Sequence, residues 1–211
     1  NPYDEWYALV KALEIKEKVG GTVTLIHVGP AANDTIIRKG LAIGADEAIR
    51  IDHEAPDSFD VSSQIAMAIQ GENYDIIFTG KETIEYNNSE VGSMLAELLD
   101  LPFISYATSM DVEGNQATLT RDMGGYEEKV ELETPFVVSA SKGIAEQRIP
   151  NMRGIMMAKS KPIKVVAASP VESLVKTIKY ETPNQRTECV YIDPENMDEL
   201  VRRLHEEAKV I

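Results

Sequence analysis

In the first half of the chain, stretches in which apolar residues recur at helical spacing alternate with short apolar runs typical of β-strands. Residues 4–19 place Trp6, Leu9, Val10, Leu13 and Ile15 near one helical face and end at Gly20-Gly21. Apolar runs at 22–30, 47–52, 74–80 and 103–110 predict strands, and stretches 33–44, 59–69 and 89–99 predict helices. This order is typical of a doubly wound α/β fold, a mainly parallel sheet with helices on both faces.

The pattern changes after Asp111. Residues 112–141 alternate apolar and polar side chains around a Gly-Asn and a Gly-Gly turn, which predicts added antiparallel strands. Residues 143–164 lack strong periodicity, and an extended arm follows from Lys164 with a final helix over 195–208. We therefore predict an α/β domain over 1–164 and a C-terminal arm and helix over 165–211. The polar arm cannot bury much surface by itself, so we expect it to lie against a partner.

Charge and cysteine usage narrow the class of protein. The 211 residues include 21 Lys and Arg and 35 Asp and Glu, a net charge of −14 that repels nucleic acid and anionic lipid. Cys189 is the single cysteine, which excludes an internal disulfide and favours a reducing, cytoplasmic compartment. The sequence has no apolar run near the roughly 20 residues that span a bilayer. The chain opens at Asn1-Pro2 without an initiator Met, as a fragment would.

Two loops are candidates for binding chemistry. Residues 79–92, TGKETIEYNNSEVG, join a predicted strand to a helix, so backbone N–H groups there could cradle a phosphate. A plain capped loop explains the same pattern, and no Walker-type GxxxxGK[ST] is present. The turn His27–Pro30 would flank the same cleft. His27 is a base or, as for most lone histidines, structural, and His53 and His205 indicate nothing more.

A third candidate is the segment SKGIAEQRIPNMRGIMMAKSKP, residues 141–162. Its methionines and isoleucines among basic residues form an adaptable apolar patch for an acidic partner, or else a buried linker. Metal-ligand spacing and a nucleophile–base pair are absent from the sequence. Chemistry must therefore come from a bound cofactor or from another chain.

Three stretches together resemble the β subunit of electron transfer flavoprotein, within the adenine nucleotide alpha hydrolase-like superfamily. They are NPYDEWYALVKALEIKE with TLIHVGPA and RKGLAIGADEAIRI, then TGKETIEYNNSEVGSMLAELLDLPFISYA, then AEQRIPNMRGIMMAKSKP. The resemblance spans essentially the whole chain, and the family's first strand is expected before Asn1.

The resemblance implies a carrier rather than an enzyme. Such a subunit binds AMP structurally and pairs with an FAD-carrying alpha subunit. The pair shuttles electrons from acyl-CoA and related dehydrogenases to the respiratory chain during fatty acid oxidation, here in a bacterial cytoplasm. In electron-bifurcating members a second FAD takes the AMP place and oxidises NADH. Two hypotheses outside this carrier role remain: a nucleotide-binding enzyme of the hydrolase type, and a non-catalytic scaffold with an empty cleft.

The resemblance also implies which residues bind. The nucleotide site comprises Asn1, Pro2, Tyr3, Asp4, Val28, Gly80, Lys81, Glu82, Thr83, Ile84, Glu85, Tyr86, Asn87, Asn88, Ser89, Glu90 and Val91. The dehydrogenase-docking loop comprises Arg148, Ile149, Pro150, Asn151, Met152, Arg153, Gly154, Ile155, Met156 and Met157, with Met152 as its apolar anchor.

The chain departs from the family pattern at several of these positions. Glu85 and Asn87 stand where Asp is usual, and Glu90 replaces a neutral Gln, which places a carboxylate near the expected phosphate. Met157 and Ser160 replace two lysines that often follow the docking anchor.

Overall fold

Helices and parallel strands alternate in the computed structural model, which describes residues 3–84, 86–173, 175–183 and 189–211. A three-stranded sheet has the order β1-β2-β8, and all its strands are parallel. A five-stranded sheet has the order β3-β7-β4-β5-β6; its first three strands are parallel and the last two antiparallel. The strands are β1 Thr24–Val28, β2 Glu47–Asp52, β3 Ile76–Gly80, β4 Phe103–Glu113, β5 Gln116–Asp122, β6 Glu127–Glu133, β7 Phe136–Ala140 and β8 Ile163–Ala167. The predicted fold class is confirmed.

Helices cover both faces of the parallel strands. They are α1 Tyr3–Val19, α2 Asp34–Ile43, α3 Ser58–Ile69, α4 Val91–Leu99, α5 Met152–Ala158 and α6 Met197–Arg202. Leu25 of β1 packs with α1, α2 and α5, whereas its neighbour Ile26 packs with α3 and α4. Successive strand residues point to opposite faces, so the two helix groups lie on opposite sides. Within each sheet the loops that lead from parallel strands into helices follow the carboxyl ends of those strands, so they lie at one edge of that sheet.

The prediction of antiparallel strands is confirmed for β5 and β6 and is wrong for residues 136–140. This segment, FVVSA, forms β7, which lies parallel between β3 and β4 with all five residues buried. A continuous apolar run is typical of a parallel strand covered on both faces, and alternation is not.

The stretch 143–164, where no period is visible, contains a helix and the start of a strand. Asn151 caps α5, because its side-chain oxygen accepts a hydrogen bond from the Gly154 N–H at 2.8 Å. The seven residues of this helix are too few to establish a period. Residues 163–167 form β8 and pair with β2, so the first three residues of the expected arm, 165–167, belong to this sheet.

The described residues fall into two compact units, one ending at Lys176 and one from Thr177 to Ile211. In the second unit α6 continues as a π-helical turn, Arg203–Ala208, which confirms the predicted final helix. Arg202 and Arg203 hydrogen-bond Glu199 there and lower its pKa to about 2. No helix in the described part of the chain is long and apolar enough to cross a membrane.

Candidate functional site

The first turn of α1 lies against the end of β3. A Cβ added at Gly80 would come within 2.9 Å of the Glu5 carboxyl carbon and 3.1 Å of its backbone nitrogen. Only glycine permits this approach without a shift. The structure therefore brings the start of α1 and the loop after β3 together, two of the regions that the sequence assigned to one site. Asn1, Pro2 and Glu85 lie outside the described residues.

Asp4 is the charged group at this junction. Burial raises its pKa, while Lys81 and a hydrogen bond from the Glu82 backbone N–H act in the opposite direction. Lys81 also lies 3.3 Å from the Glu82 carboxylate. The junction thus holds three carboxylates, those of Asp4, Glu5 and Glu82, and Lys81 is the cation among them that is placed to meet an anion.

The loop from 81 to 90 is closed on itself by Thr83 and Asn88. The Thr83 hydroxyl donates to Asn88 Oδ1 at 2.8 Å, and the Thr83 N–H donates to the Asn88 carbonyl at 3.1 Å. Asn88 Nδ2 also donates to the Ser58 hydroxyl at 2.8 Å, which ties the loop to the first residue of α3. Between them Asn87 adopts a φ of 52°, a left-handed conformation that asparagine tolerates. Asn88 therefore sets the shape of the loop.

The N-terminus of α4 is open to an acceptor. Its cap residue, Glu90, makes no side-chain cap, and the Glu90 carboxylate instead accepts from Asn88 Nδ2 at 3.3 Å. Thr79 Oγ1 is buried and has no hydrogen-bond partner among the described residues. A Cβ at Gly92 would lie 2.7 Å from that hydroxyl oxygen, so the glycine keeps the helix start close to it. Uncapped N–H groups beside an orphaned hydroxyl fit an oxyanion such as a phosphate.

The turn after β1 has an internal structure that explains its histidine. His27 Nε2 and Asn33 Nδ2 lie 2.9 Å apart, and burial lowers the pKa of His27. Val28 packs in the same apolar layer as Ile77 of β3. Arg50, which sequence reasoning missed, is buried behind the turn and donates to the Gly29 carbonyl at 3.0 Å. Its signal was a charge in the middle of the apolar strand EAIRID.

The two other histidines have partners elsewhere. His53 Nε2 lies 2.6 Å from a carboxylate oxygen of the buried Asp60, and His205 Nδ1 lies 3.0 Å from the Ile211 carbonyl. Within the described residues no group of three or more His, Cys, Asp or Glu side chains is arranged to hold a metal.

A cavity of about 430 Å³ adjoins the junction at Lys81 and Glu82. Tyr106 lines it with a φ of 57° at an irregularity in β4, and its ring centroid lies 6.0 Å from Lys81 Nζ. A bulky residue in the left-handed region is strained and is held by its surroundings. Here the Ser139 hydroxyl of β7 accepts the Tyr106 N–H at 2.9 Å. Sequence reasoning missed this cavity because it did not place β7 beside β4.

A larger cavity, about 910 Å³, lies at the C-terminal ends of α3 and α4, away from the candidate nucleotide loop. Among the described residues its lining includes Glu72, Asp75 and Glu172 but no Lys, Arg or His. A phosphate would be repelled there, so its size does not make it the nucleotide site.

The predicted docking segment is exposed as an apolar patch. The exposed fractions are 88% for Ile149, 75% for Met152 and 69% for Met156. Arg148 is fixed beside the patch, since its guanidinium donates to both carboxylate oxygens of Glu17 and its carbonyl accepts from Trp6 Nε1 at 3.4 Å. The buried-linker reading is therefore wrong for these three side chains. Exposed methionines of this kind suit an adaptable protein interface.

Comparison with known proteins gives one family. Residues 1–171 match the model of the electron transfer flavoprotein domain. The chain is 35% identical over its full length to the electron transfer flavoprotein subunit beta of Bacillus subtilis, of which it covers 87%. It is 36% identical to the same-named protein of Syntrophomonas wolfei, with 92% of this chain and 78% of the relative covered. The mouse protein of that name is 31% identical, with 100% and 85% covered.

Proposed function

The chain belongs to the electron transfer flavoprotein β subunit family, and from this premise we propose that it pairs with an FAD-carrying alpha subunit and carries electrons. In this proposal acyl-CoA and related dehydrogenases donate electrons, and the pair passes them to the respiratory chain. The redox chemistry is supplied by the flavin of the alpha subunit. In this proposal the described residues of this chain bind the nucleotide and position the partner proteins.

The observation that carries the nucleotide part is the meeting of the α1 start with the loop after β3. AMP is the proposed ligand, and its phosphate would be held by the open start of α4, Thr79 and Lys81. Asp4 and the loop ordered by Asn88 would form the rest of the site. AMP has no redox role, so the site would stabilise the fold by binding the native state.

The experiment is to count nucleotides in the purified heterodimer. Denaturation should release one FAD and one AMP per pair, identified by mass and absorbance. Lys81→Met should lower the AMP content, because it removes the cation that faces the phosphate. Lys18→Met is the matched control, since Lys18 pairs with Asp111. Equal AMP loss in both variants, or none in Lys81→Met, would refute this location.

FAD is the second candidate for the same site, and the cavity at Tyr106 favours it. That cavity adjoins Lys81 and offers about 430 Å³ beside an aromatic ring, room that AMP does not need. Two FAD and no AMP per heterodimer would establish this alternative and make NADH the electron donor to test.

The docking part of the proposal rests on the exposed patch at α5. Met152→Ala should raise the KM of the heterodimer for an acyl-CoA dehydrogenase with little effect on Tm, because this side chain is 75% exposed. Met67→Ala is the control, an exposed methionine on α3. Unchanged KM in Met152→Ala would exclude α5 as the docking surface.

A further inference from the structure

The docking helix α5 approaches the end of α2 with backbone against backbone. A Cβ added at Gly154 would collide with the Ala42 carbonyl oxygen, so only glycine allows the two helices to come this close. Ala158 is the one buried residue of α5. Apolar burial therefore does little to hold this helix in place, and something else must fix it.

Two cations cross between these helices. Arg38 of α2 donates through Nη1 to the carbonyls of Ala158 at 2.6 Å and Lys161 at 2.5 Å. In return Lys161 Nζ donates to the carbonyls of Leu41 at 3.0 Å and Ala45 at 2.5 Å. The C-terminal carbonyls of a helix lack partners within it and carry partial negative charge. Each helix end is thus satisfied by a cation from the other segment.

We propose that this reciprocal pair, Arg38 and Lys161, positions the docking surface. The bonds attach α5 through its backbone and its end, which leaves Met152 and Met156 free to face a partner. Arg38 and Lys161 are positioning residues that need not touch the dehydrogenase. This inference rests on the proposed docking role of α5, and it adds the residues that orient that surface.

Lys161→Met tests the pair, with Lys161→Arg as the conservative variant. Lys159→Met is the matched control for the exchange measurement, because it removes the same charge from an exposed neighbour whose side chain bonds to no described residue. All variants are made in the full chain and assayed as the heterodimer. Backbone amide exchange over 152–161 in the heterodimer, with no dehydrogenase present, reports the order of α5. The KM for an acyl-CoA dehydrogenase reports docking.

We expect amide exchange in α5 to accelerate at least about tenfold in Lys161→Met, with a several-fold higher KM and unchanged kcat. Lys161→Arg should restore most of both effects, and Lys159→Met should leave the exchange unchanged. Unchanged exchange in Lys161→Met would overturn the proposed pair, whatever the docking result. Accelerated exchange with unchanged KM would overturn its role in docking.

This design separates the inference from the docking proposal beneath it. If Met152→Ala leaves KM unchanged, the docking function fails, yet the exchange data still decide whether the two cations hold α5. If Met152→Ala raises KM and Lys161→Met does not, docking stands and positioning by Lys161 is wrong.

Discussion

Asn88 is the residue on which the shape of the candidate nucleotide loop depends most. Asn88→Ala removes the hydrogen bonds to Thr83 Oγ1 and Ser58 Oγ, both 2.8 Å, and a longer one to Glu90. A hydrogen bond in a partly exposed loop contributes roughly 0.5–1 kcal/mol net, so the two shorter ones together contribute about 1–2 kcal/mol. If only the closed loop binds AMP, the apparent Kd equals the intrinsic Kd divided by the fraction of molecules in which the loop is closed. A variant that opens the loop therefore binds AMP more weakly. A loss of about 1.4 kcal/mol is tenfold, so a loss of about 1–2 kcal/mol should raise the Kd for AMP by roughly fivefold to thirtyfold.

The neighbouring residue supplies the control for this change. Asn87 has a φ of 52°, which glycine adopts without a steric cost, so Asn87→Gly keeps the backbone path of the loop. Its Kd should stay within about twofold of the starting protein, a small effect on the scale of glycine substitutions. Calorimetric titration of AMP into nucleotide-free heterodimer measures both variants. The reasoning is refuted if Asn88→Ala binds as tightly as Asn87→Gly, or if both lose affinity equally.

Three further predictions concern stability. Phe136→Ala should cost about 3–5 kcal/mol in a urea unfolding measurement, because this side chain is fully buried in β7; a loss below about 1 kcal/mol would argue against the placement of that strand. Gly154→Ala should destabilise the chain by about 1–3 kcal/mol, as overpacking does, because its Cβ meets the Ala42 carbonyl; unchanged urea and docking values would contradict the close approach. Burial opposes ionisation of Asp46, but Lys16 and the Val23 N–H outweigh it and lower the Asp46 pKa. The starting protein should therefore have a higher free energy of unfolding than Asp46→Asn above about pH 4, and this difference should disappear as the pH falls further. A difference that does not change with pH would refute the reasoning.

Local pattern was enough for the elements that alternate regularly along the chain. The amphipathic period of α1 and the apolar runs of β1, β2 and β3 are properties of neighbouring residues, and the structure confirms them. The direction of β7 was mispredicted because this strand is inserted between β3 and β4, which are distant from it in sequence. Only its full burial distinguishes it from an antiparallel strand. A helix like α5, bonded to α2 through Arg38 and through Lys161 just beyond its own end, leaves no periodic trace.

The candidate site shows the same division. The loop after β3 was predictable because a strand followed by polar residues and a helix is a local signal. Arg50 and Tyr106 were not, since their roles arise from a buried turn and from a strand pairing across the sheet. Residues whose function depends on long-range pairing carry no signature in the order of their neighbours.

The charges around α5 set the character of the partner that the patch suits. Arg148 is paired with Glu17, and Lys161 is occupied by carbonyls, so neither is available at full strength. Arg153 and Lys159 make no side-chain hydrogen bond or ion pair within the described residues. On a chain with a net charge of −14, two unpaired cations beside exposed methionines form a local exception. In the proposed docking, such a surface would favour a partner with an acidic rim around an apolar pocket, the charges selecting its orientation and the methionines supplying the contact.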